Sequence, residues 1–449
     1  MEGCKEIGVV MVGCGTVGGA TAQILTRQAD KLTKRIGIDI ALRAIVDVDF
    51  AHAKELGLDE KIFCTDLQAA IARDDVQIVV ELVGGTTVAK TIVERAIAAG
   101  KHVVTANKAL LAHHGAELLG QARDRDVVIA FEASCAGAIP IISALTGELA
   151  CDRIDAIYGI VNGTCNYILT AMAEHGQIYA DALSIAQARG LAEADPTLDV
   201  TGGDSAHKLT IMADLAFRCR TDVEKIYVEG IDRLELQDIH YGRELGYVIK
   251  LLAIARRQEN GLSLRVHPAF ISTRHPLAWV SGPFNAVSVY GENSGHTMYY
   301  GRGAGDKPTA AAVTGDIVSV ALGNAQRKFQ TLDIWPDRLE QADQLDIAAV
   351  QCRYYLRLQA EDHPGVFARI ANILGNHDIS IASLLQHEST DADNAGVPVV
   401  ITTHEAAEGN IRAALDEVNR LDVIKKPCVC IHMVAEHPEK TETGNRTER

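Results

Sequence analysis

Ten cysteines are scattered through the 449 residues, yet no pair has CxxC spacing and none falls into a His–Cys pattern that would hold a metal. That excludes a disulfide framework and a zinc module, and it leaves buried, reduced thiols of the kind kept in a reducing cytoplasm. Cys428 and Cys430 alternate along an expected strand and share one face. No apolar run reaches the roughly 18 residues of a transmembrane helix. The opening MEGCKEIGVVMVGCG lacks a basic stretch and a cleavage site, so no secretory signal is expected. Positive charge is also in deficit. A formal net charge of −16 argues against nucleic acid as a partner and fits a soluble enzyme. The polar tail at 436–449 is expected to be disordered.

What is present is a chain long enough for about two to four domains. Ile7–Val12 is an apolar, β-branched run followed at once by Gly13-Cys14-Gly15-Thr16-Val17-Gly18 and then a helical stretch, Ala20–Arg27. In a strand–GxGxxG–helix setting the first glycine allows a tight turn. The second lets a pyrophosphate approach the backbone, and the third lets helix and strand pack closely. Gly13, Gly15, Thr16, Val17 and Gly18 are therefore candidate contacts to a dinucleotide. The next strand, Ala41–Val46, ends at Asp47, where a carboxylate can accept the ribose hydroxyls and repel a 2′-phosphate, favouring NAD over NADP. The gap from Gly18 to Asp47 exceeds the usual spacing of about 20 residues. The excess falls in Ala29–Gly37, a polar and basic insertion, and Asp49 is a rival for the acid's role. Strands are expected at Gln77–Leu82, His102–Ala106 and Val127–Phe131, alternating with helices, which means a parallel, doubly wound sheet. Ligands bind such sheets beyond the carboxyl ends of the strands, where Thr86, Lys108 and Glu132 sit.

Glu132 opens EASCAGAIP, in which one carboxylate and exposed carbonyls suit a hard cation; a turn with a capping glutamate explains the same residues. Pro140 starts an expected helix, PIISALTGELA, and Ile154–Val161 reads as a strand running into Asn162-Gly163-Thr164, a helix start that can also contact substrate.

The segment RGLAEADPTLDVTGGDSAHKL, Arg189–Leu209, places Glu193, Asp195, Asp199 and Asp204 ahead of Lys208. Asp204 and Lys208 are i,i+4 on one helix face. Such a loop suits a small cationic substrate, with a lysine at its edge to exchange a proton. The plain alternative is a solvated ion pair worth about 0.3–0.5 kcal/mol. Leu209, Met212, Ala213 and Ala216 form an apolar stripe with Lys208 at its edge. Gly301-Arg302-Gly303-Ala304-Gly305 precedes a helix over Asp306–Leu322 and can face a phosphate, closing the first domain. After a linker, the strand and helix signals follow the ferredoxin-like order βαββαβ: Arg353–Gln359, Gly365–Leu374, Ile379–His387, Val397–His404, Glu408–Asn419 and Ile424–Met433.

GLAEADPTLDVTGGDSAHKL, TANK at Thr105–Lys108 and GIVNGTCNYIL at Gly159–Leu169 resemble the homoserine dehydrogenase family, in its monofunctional form with a C-terminal ACT domain, over about residues 5–435. The resemblance implies an α/β chain. Residues 1–135 would form a Rossmann-type domain, completed by about 303–329, with a substrate and dimerisation domain at 136–302. A linker at 330–350 and an ACT domain at 351–435 would follow. It implies NAD(P)-dependent interconversion of L-homoserine and L-aspartate 4-semialdehyde in a cytoplasmic homodimer or homotetramer, with no nucleic acid and no membrane as partner. Lys208 would be the acid/base, Lys108 its assistant at cofactor and substrate, and Glu193 and Asp204 the holders of the substrate ammonium, with Asp199 a further pocket acid. Gly303 would line the cofactor. Glu132, with the carbonyls of Cys135, Gly137 and Ile139, would bind a structural sodium ion. Many relatives carry a basic residue where Asp47 stands, which strengthens the NAD reading. Asp362, Gly365 and Val366 resemble the ACT-domain turn that takes an amino-acid effector, here threonine. Two rival readings are a dehydrogenase for another amino-acid semialdehyde and a non-catalytic sensor of NAD and amino acids.

Overall fold

The computed structural model describes residues 5–386, 396–435 and 437; the 436–449 tail lies almost wholly outside them. The chain divides into two compact units. The first comprises Met1–Gly163, Asp204–Glu224 and Phe284–Ala342, the second Thr164–Gly203, Lys225–Pro283 and Asp343–Arg449. Among the described residues no helix is long and apolar enough to cross a membrane.

The first unit is built on six parallel strands, β1 (Lys5–Val12), β2 (Ile38–Val46), β3 (Phe63–Cys64), β4 (Ile78–Glu81), β5 (His102–Thr105) and β6 (Ile129–Ala130). Their order, β3-β2-β1-β4-β5-β6, is that of a doubly wound dinucleotide-binding sheet, whose switch point lies between β1 and β4. Val9, Val10 and Met11 of β1 are fully buried, as a central parallel strand covered on both faces requires. The stretch between Gly18 and Asp47 is not a bare insertion. It is a separate helix, Ala29–Ile36, closed by Gly37 in the left-handed conformation that a helix C-terminus favours. The helix Asp306–Ala321 packs on Thr16–Arg27 and beside β5, so the glycine-rich turn before it leads back to the dinucleotide sheet.

The expected PIISALTGELA helix is broken. Ile141–Leu145 is helical, and Glu148–Cys151 forms a separate 3-10 turn. The break falls at Gly147, where a Cβ would lie 2.7 Å from the Ser143 carbonyl. Three antiparallel strands of the same unit, Ile154–Ile160, Phe284–Gly291 and Gly295–Arg302, stand with the central one between the other two.

In the second unit Tyr247–Gln258 pairs antiparallel with Gly261–Ser272, which pairs parallel with Ile424–Val434. The last strand continues into Gln351–Ala360, Val397–Thr403 and Ile381–Gln386, all antiparallel. With the helices Val366–Asn376 and Glu408–Val418 this is the ferredoxin-like arrangement read from the sequence. Its core holds Tyr354, Leu356, Ile370 and Ile411, with Cys428 and Cys430 packed against it. The nine described cysteines are all free thiols.

Candidate active site

The dinucleotide turn takes the form its glycines suggest. Gly13 has a φ of 95°, and a Cβ there would sit 2.8 Å from the Leu82 carbonyl at the end of β4. Gly15 is exposed with open space around it, leaving room for a ligand. A Cβ on Gly18 would collide with the Gly13 carbonyl, so only glycine lets the helix start this close to its strand. Asp47, directly after β2, accepts the Cys14 N–H at 2.6 Å through Oδ2 and the Val48 N–H at 2.7 Å through Oδ1. Its rival Asp49 is turned away to the Ala51 N–H, at the first residue of the next helix. Thr86 stands at the N-cap of Thr87–Ala98 and makes no side-chain capping bond.

A network that sequence reasoning missed fixes these strand ends. Glu81, fully buried at the tip of β4, accepts the Val83 and Gly84 N–H groups and the Thr105 hydroxyl, the last at 2.6 Å. Thr105 Oγ1 accepts the Asn107 N–H, and Asn107 donates its side-chain amide to the Gly85 carbonyl and caps the helix that Lys108 begins. Lys108 is thereby anchored at the carboxyl end of β5. The legible signal was an acid ending an apolar strand, QIVVEL.

Asp204 collects the polar groups of the site. It is 3 % exposed, in the first turn of the helix Gly203–Phe217. Lys208 Nζ lies 2.7 Å from its Oδ2, Asn162 donates to Oδ2 at 2.9 Å, and Lys108 Nζ lies 3.0 Å from its Oδ1. Lys208 also donates to the Val161 carbonyl at 2.8 Å. Burial opposes the Asp204 charge, but Lys208 and then Lys108 outweigh it and hold the carboxyl well below its usual range. The sequence placed Lys208 at the edge of an apolar stripe. Instead the helix is buried almost all round, and Lys208 is only 8 % exposed. This is not a solvated surface pair. A buried ammonium and carboxylate persist because each holds the other and neutral dipoles complete their hydrogen bonds.

Glu193 and Asp199 lie in the second unit. Glu193 is exposed, in the turn before Pro196; Asp199 is half-buried on the short helix Thr197–Val200, where its carbonyl accepts the Cys165 thiol. Asp195 accepts the N–H and hydroxyl of Thr197, as a structural cap does. Gly303 packs so closely on Asn285 that a Cβ would overlap the amide.

Both Glu132 oxygens accept helix N-terminal amides, from Ile142 at 2.8 Å and Ser143 at 2.7 Å. The Glu132 N–H in turn donates to Asp316, whose buried carboxyl is pushed well up by burial and then by the Glu132 charge. Burial raises Glu132 as well. Burial thus disfavours the charged form of both carboxyls. Ala136 and Gly137 are consecutively left-handed, at φ 54° and 56°, which turns successive peptides of the loop. A cation bound by oxygens fits this donor set.

In the C-terminal turn Gly365 has a φ of 95° and begins the helix, and Asp362 is exposed. Val366 is buried in the core, so only its backbone can face a ligand.

The family models "Homoserine dehydrogenase, NAD binding domain", "Homoserine dehydrogenase" and "ACT domain" match residues 13–132, 140–318 and 354–423. The chain is 42% identical over 436 residues to a homoserine dehydrogenase of Neisseria gonorrhoeae, covering 96% of this chain and 100% of that one. A Pseudomonas aeruginosa homoserine dehydrogenase is likewise 42% identical, over 96% and 99% of the two chains. The crystal structure of a homoserine dehydrogenase from Thiobacillus denitrificans superposes with a TM-score of 0.90 at 42% identity, over 97% of this chain and 100% of that one. A hyperthermophilic archaeal homoserine dehydrogenase solved in complex with NADPH superposes at 0.60 with 26% identity, over 71% and 98%. With the doubly wound sheet, the glycine turn and the buried lysine–aspartate cluster in place, the chain belongs to the homoserine dehydrogenase family of NAD(P)-dependent oxidoreductases.

Proposed function

We propose that the chain interconverts L-homoserine and L-aspartate 4-semialdehyde and prefers NAD, with Lys208 carrying the proton. One observation carries this reading: Asp204, buried between Lys108 and Lys208 at the start of a buried helix. A bound nicotinamide would supply or accept hydride at the substrate's C4. In the reductive direction the Lys208 ammonium gives a proton to the carbonyl oxygen; in the oxidative direction its amine takes the hydroxyl proton. Lys108, more exposed, positions substrate and cofactor. Asp204 already accepts from three donors, so we assign it first to orienting the lysines. The substrate ammonium then falls chiefly to Glu193, with Asp199 as a further acid, in the roles the family resemblance gives them.

Gly13, Gly15, Thr16, Val17, Gly18, Thr86, Lys108 and Gly303 would hold the dinucleotide, and Asp47 its adenosine ribose. Glu132 and the carbonyls of Cys135, Gly137 and Ile139 would hold a sodium ion whose charge offsets the cost of an ionised Glu132 in this buried place. The domain limits inferred from the sequence belong to the same proposal, as do a cytoplasmic location and a homodimer or homotetramer. Steady-state homoserine oxidation with each dinucleotide tests the cofactor assignment. Wild type should favour NAD+ in kcat/KM, and Asp47→Ser should shift that ratio toward NADP+ by about tenfold, since its carboxylate no longer repels a 2′-phosphate. An unchanged ratio would exclude Asp47 as the selector.

We also propose feedback by threonine through the ACT domain, with Asp362 and the Gly365 and Val366 backbone as the ligand turn. Threonine added to the wild-type assay should lower the rate, and a flat titration would remove the regulatory reading.

A further inference from the structure

The strand β4 ends on a carboxylate that the proton chemistry leaves unused. Glu81 is fully buried at the switch point, its backbone paired with Val12 of β1 and with Thr105 of β5. Its Oε1 accepts the Val83 N–H at 2.9 Å and the Gly84 N–H at 3.0 Å, and its Oε2 accepts the Thr105 hydroxyl at 2.6 Å. Both oxygens act only as acceptors, the pattern of an ionised carboxyl. All three partners are neutral dipoles, and no ammonium, guanidinium or imidazolium pairs with Glu81 among the described residues. A buried charge without a counter-ion is costly. The turn itself does not demand that cost. A glutamine of the same shape would accept the two N–H groups through its carbonyl oxygen and donate its amide to the threonine oxygen. The charge, as distinct from the shape, calls for a reason outside the turn.

Its place in the sheet supplies one. A doubly wound sheet holds a dinucleotide across its switch point, one mononucleotide over each half. Asp47 after β2 marks the adenosine half, so the nicotinamide half lies over β4, β5 and β6. Glu81 ends β4, and Lys108 opens the helix that follows β5. In the cluster at Asp204, Lys108 and Lys208 share one carboxylate, which leaves positive charge over. An oxidised nicotinamide ring brings a further positive charge; a reduced ring brings none. Lysines alone would therefore favour the reduced cofactor, and a buried carboxylate on the same half restores the balance.

We propose that Glu81 selects the redox state of the bound cofactor: its buried charge strengthens binding of the oxidised nicotinamide relative to the reduced one. It acts through space and takes no part in proton transfer. The role rests on the dinucleotide assignment and adds to it a residue that sets the potential of the bound couple.

Fluorescence titration of the full-length protein with NAD+ and with NADH, in wild type, Glu81→Gln and Glu81→Asp, tests the role without turnover. In Glu81→Gln the Kd for NAD+ should rise about tenfold while that for NADH changes less than about twofold, as expected for the loss of one nearby charge. That shift in the ratio corresponds to about 30 mV in the potential of the bound two-electron couple. Glu81→Asp keeps the charge on a shorter arm, so the ratio should stay within about threefold of wild type even where both constants rise. An unchanged ratio in Glu81→Gln, or an equal rise in both constants, would overturn the proposal. So would a tenfold shift of the ratio in Glu81→Asp, which would trace the effect to the shape of the turn and stands even where Glu81→Gln does not fold. A wild type that binds neither dinucleotide would remove the cofactor assignment itself, and this role with it.

Discussion

Lys208→Ala is expected to lower kcat for homoserine oxidation by about 10³-fold, the scale of a positioned proton carrier, while dinucleotide affinity stays within a few-fold of wild type. The variant should fold, because Asp204 keeps Lys108 at 3.0 Å and Asn162 at 2.9 Å and is not left as an unpaired buried charge. The glycine turn and Asp47 belong to other elements and are untouched. Lys208→Arg should not rescue the rate. It keeps the positive charge next to Asp204, but a guanidinium does not release a proton at working pH. Steady-state kinetics in both directions, with a dinucleotide titration by intrinsic fluorescence, separates the loss of chemistry from a loss of binding. A large rise in dinucleotide Kd with normal kcat would mean that Lys208 holds cofactor instead of moving a proton.

Asp204→Asn should lower kcat by about 10²-fold, because the two lysines lose the charge that orients them. In wild type the carboxyl lies below its ordinary value of 3.8, so it stays ionised throughout the neutral range. A carboxyl depressed in the folded protein contributes stability that is fully present above its unfolded value and lost as pH falls through its folded value. The acid-side loss attributable to Asp204 therefore lies below about pH 3.8, outside the range of the assay. What the amide changes is the hold on the two lysines. It carries no charge to keep the Lys208 and Lys108 ammonium groups at 2.7 and 3.0 Å, so the proton carrier loses the partner that orients it. Steady-state kcat with a dinucleotide titration is the check, and a wild-type kcat would show that Asp204 does not position Lys208.

The first domain was legible because its signals are local. A β-branched run, three glycines at fixed spacing and an acid at the next strand's end constrain one turn, and that turn orders the sheet. The C-terminal domain was legible for a similar reason: its strands and helices alternate at clear periods, and Cys428 and Cys430 fall on one face as their spacing requires. Lys208 shows where local reading stops. Its helix carries an apolar stripe, and a lysine beside such a stripe reads as an edge residue. Its partner Asp204 is held by Asn162, 42 positions before Asp204, and by Lys108, which meets the same carboxylate from another strand end. Asp316 was invisible for a related reason. Nothing in its own helix marks an acid that faces Glu132 from 184 positions away. The break at Gly147 follows from a backbone at φ −113° and ψ −110°, outside the helical region, which a helix-like composition conceals.

Single-turnover reduction of NAD+ by enzyme in excess, saturated with L-homoserine, isolates the proton-carrying role of Lys208. Reduced nicotinamide should rise rapidly in wild type and, in Lys208→Ala with NAD+ bound, about three orders of magnitude more slowly. A Lys208→Ala enzyme that reduces its bound NAD+ at the wild-type rate would contradict it.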